Sequence, residues 1–567
     1  MPILDTTLRR VRRYIGIDIS LEGLEEDLFK LGFELESAVK KEDDYELKIE
    51  VTPDRPDCLS TIGLARALAL YKGIRKPTRY AAQEGEKLEI IVDESVKEIR
   101  PYIAAFVASG IRLSEDDILE LIWTQEKLHA TFCRNRRKAS IGFYPLKKIS
   151  WPLRYYAELP SRIKFAPLGS EKTMTGVEIL ELHPTGRKYA GLLRGKDRYP
   201  LFVDANNNIL SMPPIINSRE YGEIKVGETD ILVETTGVHK ETMKQTLNIL
   251  ATMLCDMGAK ISSVRITYPQ GESEKAPYFD RNTRNLDISY AERVLGVELN
   301  KDKIMQLLEK MGYIAKDAGG GVIVVDIPPY RTDIFHEIDI VDDIARAYGF
   351  DNFEPELTPV FTVAARLRVE ETVDQLREVL IGLGFSELFT FSLTSLEDQF
   401  VRMRLNIPPE VVRIAGAKET KINVVRRWLL PEVLKAIAEN KACEYPIKVF
   451  EISDVAKIYD GLEAKSCNEK HMAIVISDTK ANYTQIKSCI DYIFCILGRD
   501  IEIVRENHPS FIEGRCAAIL VEGAKIGVIG ELHPQVLLNF GLTIPTVAAE
   551  IDLTKVLGIE VREVEWA

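Results

Sequence analysis

Sulfur and imidazole are scarce in this sequence, and what there is lies scattered. Of 567 residues only 8 are Cys and 7 are His. Cys489 and Cys495 are the nearest cysteines, and no CxxC or Cys/His cluster occurs. That excludes a zinc ribbon and a disulfide-built scaffold, and isolated thiols suit a reducing, cytoplasmic setting. GxSxG, HExxH and P-loop motifs are missing, and the glycine run 318-AGGGVIV has neither the lysine nor the spacing of a phosphate cradle. Nucleophilic and zinc-dependent hydrolases therefore have no support. No window approaches the roughly 20 apolar residues of a membrane span, and the basic start MPILDTTLRRVRRYIG lacks the apolar centre of a secretion signal. Excess positive charge is absent too: 74 Lys and Arg stand against 87 Asp and Glu, a net −13. Contact with nucleic acid must then be local, not that of a bulk polycation.

What is present is ordinary globular material, 46% hydrophobic and 28% charged, long enough for roughly three to five packed units. An N-terminal α/β region is expected over 1–87, where Leu21, Leu24, Leu28 and Leu31 recur at helical spacing up to Gly32. Ser60 follows a two-proline loop and is placed to cap a helix ending near Gly73. Over 88–268 strands and helices alternate. Strands are expected at 88-LEIIVD, 102-YIAAFVASGIRL, 140-SIGFYPL, 189-YAGLLRG, 200-PLFVDANNNILS and 230-DILVETTG, and a helix at 115-EDDILELIWTQEKLHATFCRNRRK. Residues 269–355 read as a helix-turn-helix-like module: short helices near 289-SYAERVLG and 301-KDKIMQLLEKMG, the strand 322-VIVVDIP, and a helix from about Ile334. The last region, 356–567, has helices near 369 and 430 and strands such as 388-LFTFSL, 447-IKVFEIS and 472-MAIVIS. It reads as an antiparallel sheet flanked by helices within an α+β multidomain chain.

Three constellations could carry chemistry. In 330-YRTDIFHEIDIVDDIARAYGF, Asp333 falls at the expected N-cap, and helical periodicity places Asp339, Asp342 and Asp343 on one face, opposite Ile334, Ile338 and Val341. Like charges three and four apart repel. The face is therefore either simply solvated or relieved by a hard cation such as magnesium or calcium, since the donors are all oxygen. In 125-QEKLHATFCRNRRKASIGFYPLKK, seven Lys and Arg face one Glu. Arg134, Arg136, Arg137 and Lys138 form either a phosphate-contacting stripe or a polar helix end. Third, Pro213-Pro214 makes a rigid, donor-free wall near Ser211, Asn217, Glu234, Thr235 and Thr236. That is a pocket for a polar small molecule or an ordinary loop.

Several ordered blocks of this sequence resemble the beta subunit of phenylalanyl-tRNA synthetase in its archaeal and eukaryotic form. They are 55-RPDCLSTIGLARAL, 125-QEKLH with its basic run, 211-SMPPIIN, 234-ETTG, 328-PPYRTDIFHEIDIVDDIARAYGFDN, 450-FEISDV and 530-GELHPQV. The resemblance implies an (αβ)₂ ligase that joins L-phenylalanine to tRNA(Phe) using ATP, with the synthetic site on the alpha subunit. Class II synthetases end a Gly-rich motif in a catalytic Arg, and 525-KIGVIGELHP has none, so region 356–567 is expected to be a catalytically silent class II-like core. The resemblance also implies an editing site in 88–268 that hydrolyses Tyr-tRNA(Phe), with Ser211, Glu234 and Thr236 as pocket positions and Pro213, Pro214 and Asn217 as its wall. It further implies tRNA contact by the Arg134–Lys138 run, and magnesium shared with the alpha subunit through Asp333, Asp339, Asp342 and Asp343. A stand-alone editing hydrolase and a noncatalytic RNA-binding scaffold paralogue are the alternatives.

Overall fold

The computed structural model describes residues 2–558 other than 270, 359, 418, 420 and 441. It divides into two compact units, Met1–Leu357 and Thr358–Ala567. Among the described residues no helix is long and apolar enough to cross a membrane. In the first unit, a three-stranded antiparallel sheet (Ile3–Thr7, Glu34–Lys41, Asp44–Glu50) packs with the helices Leu8–Ile15 and Thr61–Tyr71. Ser60 caps the second of these helices, its hydroxyl accepting from Gly63 N–H at 2.9 Å.

The centre of this unit is a ten-stranded mixed sheet. From one edge it runs Ile216–Asn217, Ile209–Met212, Tyr199–Val203, Leu153–Glu158, Gln83–Val92, Lys260–Thr267, Tyr102–Ser109, Asp230–Gly237 and Ala139–Pro145, with Ser273–Ala276 added on Lys260–Thr267. The helix Lys240–Asp256 covers Tyr102–Ser109 and Asp230–Gly237, burying Leu247, Leu250 and Leu254. Such a double-sided position explains why Ile231, Leu232 and Val233 are all apolar and buried instead of alternating. The two edges of the sheet are brought together by side chains. Tyr144, on the last strand, reaches Ser211 at 2.8 Å, and the Asn217 amide donates to the Phe143 carbonyl at 3.3 Å. A cavity lies in the curl so formed.

Some expected elements differ. The helix from Glu115 stops at Ala130, so the basic run is not its continuation. It forms a turn in which Arg134, Asn135 and Arg136 all adopt left-handed backbone (φ 48°, 52° and 64°). The expected strand at 189-YAGLLRG is helical: Pro184 starts the helix Pro184–Tyr189, where its missing N–H costs nothing, and a tighter turn follows over Ala190–Leu192. The helix expected from Ile334 begins at Glu337, with His336 as its N-cap.

In the second unit, seven strands are ordered Ser386–Glu387, Ile447–Ile458, Ser466–Ser477, Thr546–Asp552, Ala524–Leu532, Phe511–Val521 and Glu502–Arg505. All neighbours are antiparallel except the first pair. Helices Arg368–Gly382 and Tyr483–Ile496 bury Leu376, Leu380, Ile486 and Ile490 in one core cluster, while Leu430–Glu439 and Pro534–Phe540 bury Leu434 and Val536 in another. The stretch 388-LFTFSL keeps its alternation but is strand only at Leu393. Thr390 and Ser392 are held by Glu451 and by Arg426 N–H, and Phe389 and Phe391 point outward.

Candidate functional site

Pro213 and Pro214, joined by a cis peptide bond, form one wall of a cavity of about 390 Å³. Ser211, Asn217, Ser140 and Glu234 supply its polar lining, the helix Glu115–Ala130 gives Ile118, Leu121, Gln125 and Glu126, and Arg136 closes one side. A mostly apolar hollow with a few placed polar groups is the usual form of a small-molecule site. Ser211, Pro213, Pro214, Asn217 and Glu234 thus come together. Thr236 does not line the cavity. It follows Glu234 by two on the same strand, one step behind, where its hydroxyl meets Ser140 at 2.9 Å and accepts from Arg100 Nε at 2.9 Å.

Glu234 is the unusual group. Only 2% exposed, its carboxyl has Oε1 3.0 Å from the Tyr144 hydroxyl, while Oε2 is buried with no hydrogen-bond partner among the described residues. Burial drives its pKa up to about 8, against a smaller downward pull from the Tyr144 hydrogen bond and the Arg100 charge. At neutral pH the group is therefore largely the uncharged acid. The Tyr144 hydroxyl is shared among three acceptors, Ser211 at 2.8 Å, Glu234 Oε1 at 3.0 Å and Asn217 Oδ1 at 3.5 Å.

Residues that sequence reasoning did not single out make this arrangement possible. Gly142 sits opposite Glu234 in the strand register, and a Cβ there would stand 2.7 Å from Glu234 Oε1 and press on the Tyr144 hydroxyl. Arg100, fully buried, donates to the Thr236 hydroxyl and carbonyl, the Ser140 hydroxyl and the Arg136 carbonyl. Nearer the cavity wall, Glu126 is held down to about 2 by its hydrogen bond to His129 and by Arg136. His129 is lowered to about 4 by burial, and its Nε2 accepts from Ile141 N–H at 2.8 Å, so Nδ1 carries the proton toward Glu126. That imidazole is occupied on both nitrogens and has no free base to offer. Of the carboxyls lining the cavity, Glu234 is neutral and Glu126 ionised, set apart by burial and by charge.

The basic run splits in two. Arg134 and Arg137 stand exposed on the turn and Lys138 is half-buried. Arg136 instead turns inward, donating to the carbonyls of Pro214 (3.2 Å) and Ile215 (2.9 Å), pairing with Glu126 at 2.9 Å and lying 4.2 Å over the Tyr189 ring. It is a strut of the proline wall, not a free phosphate ligand.

The acidic block departs further from expectation. Asp343 is buried and Asp342 exposed, so they do not share a face. Asp333 accepts two hydrogen bonds from Arg331 (2.9 and 2.7 Å), and Asp343 meets Arg331 at 2.7 Å and accepts from Tyr313. Asp339 accepts from the backbone N–H groups of Phe335 and His336, and Asp342 pairs with Arg346 at 2.9 Å. Among the described residues, the one metal-competent group of His, Cys and carboxylate side chains is Glu469, His471 and Asp552 in the second unit. The four aspartates within this chain do not fit a magnesium cage.

Comparison with known proteins separates the possibilities left by geometry. The beta subunit of phenylalanine–tRNA ligase from Archaeoglobus fulgidus is 37% identical over 557 residues, covering 98% of both chains. That of Pyrococcus horikoshii is 36% identical over 555 residues, covering 98% of this chain and 99% of its own. The chain belongs to the phenylalanyl-tRNA synthetase beta-subunit family. It is accordingly a subunit of an aminoacyl-tRNA ligase. Family models agree: the Phe-tRNA synthetase beta subunit B1 domain matches residues 1–74, the tRNA synthetase B5 domain 284–350, and the phenylalanyl tRNA synthetase beta chain CLM domain 355–553. An N-terminal fragment of the Pyrococcus horikoshii phenylalanyl-tRNA synthetase beta subunit superposes with a TM-score of 0.59 at 35% identity, covering 61% of this chain and 99% of that fragment.

Proposed function

We propose that this beta subunit supplies the hydrolytic editing site of a cytoplasmic phenylalanine–tRNA ligase, clearing tyrosine from tRNA(Phe), while its alpha partner makes Phe-tRNA from ATP and L-phenylalanine in an (αβ)₂ assembly. The editing region is 88–268, between an N-terminal scaffold over 1–87 and a helix-turn-helix-like module over 269–355. The class II-like core over 356–567 acts in assembly. Its strand Ala524–Leu532 has no catalytic arginine. Magnesium serves the family's ATP-dependent reaction.

The observation that carries the reading is the free Oε2 of Glu234 in the cavity lining. Tyrosine differs from phenylalanine by one hydroxyl, and an apolar synthetic pocket discriminates poorly against such an addition, whereas a second site built to hydrogen-bond that hydroxyl discriminates well. Tyrosine would satisfy the carboxyl. Phenylalanine would cover it and leave it unpaired, a penalty of about 1–3 kcal/mol for a neutral group. Ester hydrolysis needs water and a positioned ester, and Asn217, Gln125 and Glu126 line the same cavity. The exposed Arg134 and Arg137 approach the acceptor end of the tRNA.

The αβ assembly with Glu234→Ala is the test, measured as deacylation of Tyr-tRNA(Phe) and Phe-tRNA(Phe). The wild-type preference for the tyrosyl ester is expected to fall by about 5- to 150-fold, the kinetic equivalent of that penalty. An unchanged ratio would remove Glu234 from the recognition site.

A further inference from the structure

The acidic block has a different use inside this chain. Arg331 is buried and sits 5.4 Å over the Tyr313 ring. It donates through Nε and Nη2 to both oxygens of Asp333, while its Nη1 lies 2.7 Å from Asp343. Tyr313 donates its hydroxyl to the same Asp343 carboxylate. These charges adjoin a second buried set. Asp57 binds Arg55 and Arg66, and Arg66 reaches Asp256 at 2.8 Å while lying 3.7 Å over the Tyr330 ring. Arg75 binds the other oxygen of Asp256 at 2.6 Å. The lattice of both sets joins Arg55, Asp57, Arg66 and Arg75 to the sheet-covering helix by ion pairs through Asp256, and meets the module of residues 284–350, which holds Arg331 and its aspartates, where Arg66 lies over the Tyr330 ring.

Its charge is balanced, with the four arginines 55, 66, 75 and 331 set against the four aspartates 57, 256, 333 and 343. A divalent cation at Asp333 and Asp343 would either leave two uncompensated positive charges in a buried region or displace Arg331 from both partners, and each is strongly unfavourable. Magnesium also demands close to six oxygens in octahedral array. Asp333 has both oxygens engaged, and Asp343 Oδ2 accepts from the Tyr313 hydroxyl and lies 2.7 Å from the Arg331 charge. Asp339 serves its own helix start and Asp342 faces solvent with Arg346.

We propose that Asp333 and Asp343 are permanent counter-ions of Arg331, neutralising it inside the module of residues 284–350 beside the buried charges of the N-terminal region, and that neither ligates magnesium. The test uses the chain with its alpha partner, loaded with Mn²⁺ in place of Mg²⁺. Anomalous scattering from crystals is expected to place no Mn²⁺ within bonding distance of either carboxylate. Asp343→Asn is expected to lower the melting temperature by about 3–6 °C, equally in Mg²⁺ and in EDTA, with the number of bound Mn²⁺ ions per αβ pair unchanged. A Mn²⁺ peak bonded to Asp333 or Asp343 would overturn the proposal, and so would loss of one bound ion in the variant. If Asp343→Asn does not fold, Asp333→Asn, on the less buried partner, is read by the same count and the same two melting curves.

Discussion

A carboxyl group held neutral near pH 7 ties recognition to stability at Glu234. Its folded pKa of about 8 lies above the ordinary value of 4.5 because burial disfavours the charged form. Between those values the folded protein binds more protons than the unfolded chain. The contribution is therefore fully present below about pH 4.5 and is lost as pH rises through about 8. Glu234→Gln keeps the shape and removes the titration. Thermal unfolding of the variant from pH 5 to 9 should show a shallower fall in Tm with rising pH than the wild type, the two curves separating by the equivalent of a few kcal/mol. Parallel curves would mean that Glu234 is ionised throughout. Glu234 itself was legible in the sequence, as the acid of 233-VETTG read together with the earlier Pro213-Pro214 turn. Its partners were not. Tyr144 lies 90 residues away and meets it because the strands Ala139–Pro145 and Asp230–Gly237 pair, which also sets Gly142 opposite Glu234, while Ser211 and Asn217 join them only through the closure of the sheet's edges.

At the scale of elements, the turn between Ala130 and Ala139 does what a helix end could not. Three successive residues in left-handed backbone cost about 1–2 kcal/mol each, and such strain persists only where surrounding contacts over-determine it. Here the contacts are those of Arg136, whose hydrogen bonds to Pro214, Ile215 and Glu126 tie the turn to the proline wall. Arg136→Ala should loosen both turn and wall, lowering stability by about 2–3 kcal/mol and deacylation of Tyr-tRNA by at least about 10-fold, with phenylalanine charging by the αβ assembly retained. Chemical denaturation and the two activity assays read these separately. Equal loss of tRNA affinity and of both activities would restore Arg136 to a phosphate-binding role. The sequence shows four cations close together, but side-chain direction depends on backbone φ, which composition does not carry. The helix Glu337–Tyr348 teaches the same point. The apolar stripe expected from helical periodicity holds at Ile334 and Val341, which are buried, and fails at Ile338, which is 41% exposed, while Ile340 and Ile344 fill the core. Periodicity also misplaced Asp343, because a buried arginine from the preceding loop makes an acidic residue as much a core residue as an isoleucine.

Over the whole molecule, each unit keeps its buried charge in order by its own means. In the second, Arg426 and Glu451 pair at 2.7 Å with both side chains fully buried, and Glu550 accepts from Leu429 and Leu430 N–H at a helix start and from His471, whose pKa its carboxylate partners raise to about 9 despite burial. Those groups are spent on holding the sheet to its helices, which suits a domain that assembles and does not catalyse. Individual helices were legible where caps punctuate the chain, as at Ser60; the curl that makes the cavity was not, because side chains, not a backbone ladder, close it. The central claim is that this chain edits while its partner synthesises. It is tested most directly by one paired measurement on the αβ assembly carrying Gly142→Ala, whose added Cβ would crowd Glu234 and Tyr144. Tyr-tRNA(Phe) deacylation is expected to fall by at least about 10-fold while ATP-dependent phenylalanine charging stays at the wild-type rate. Deacylation that survives, or charging that falls in step with it, would contradict that claim.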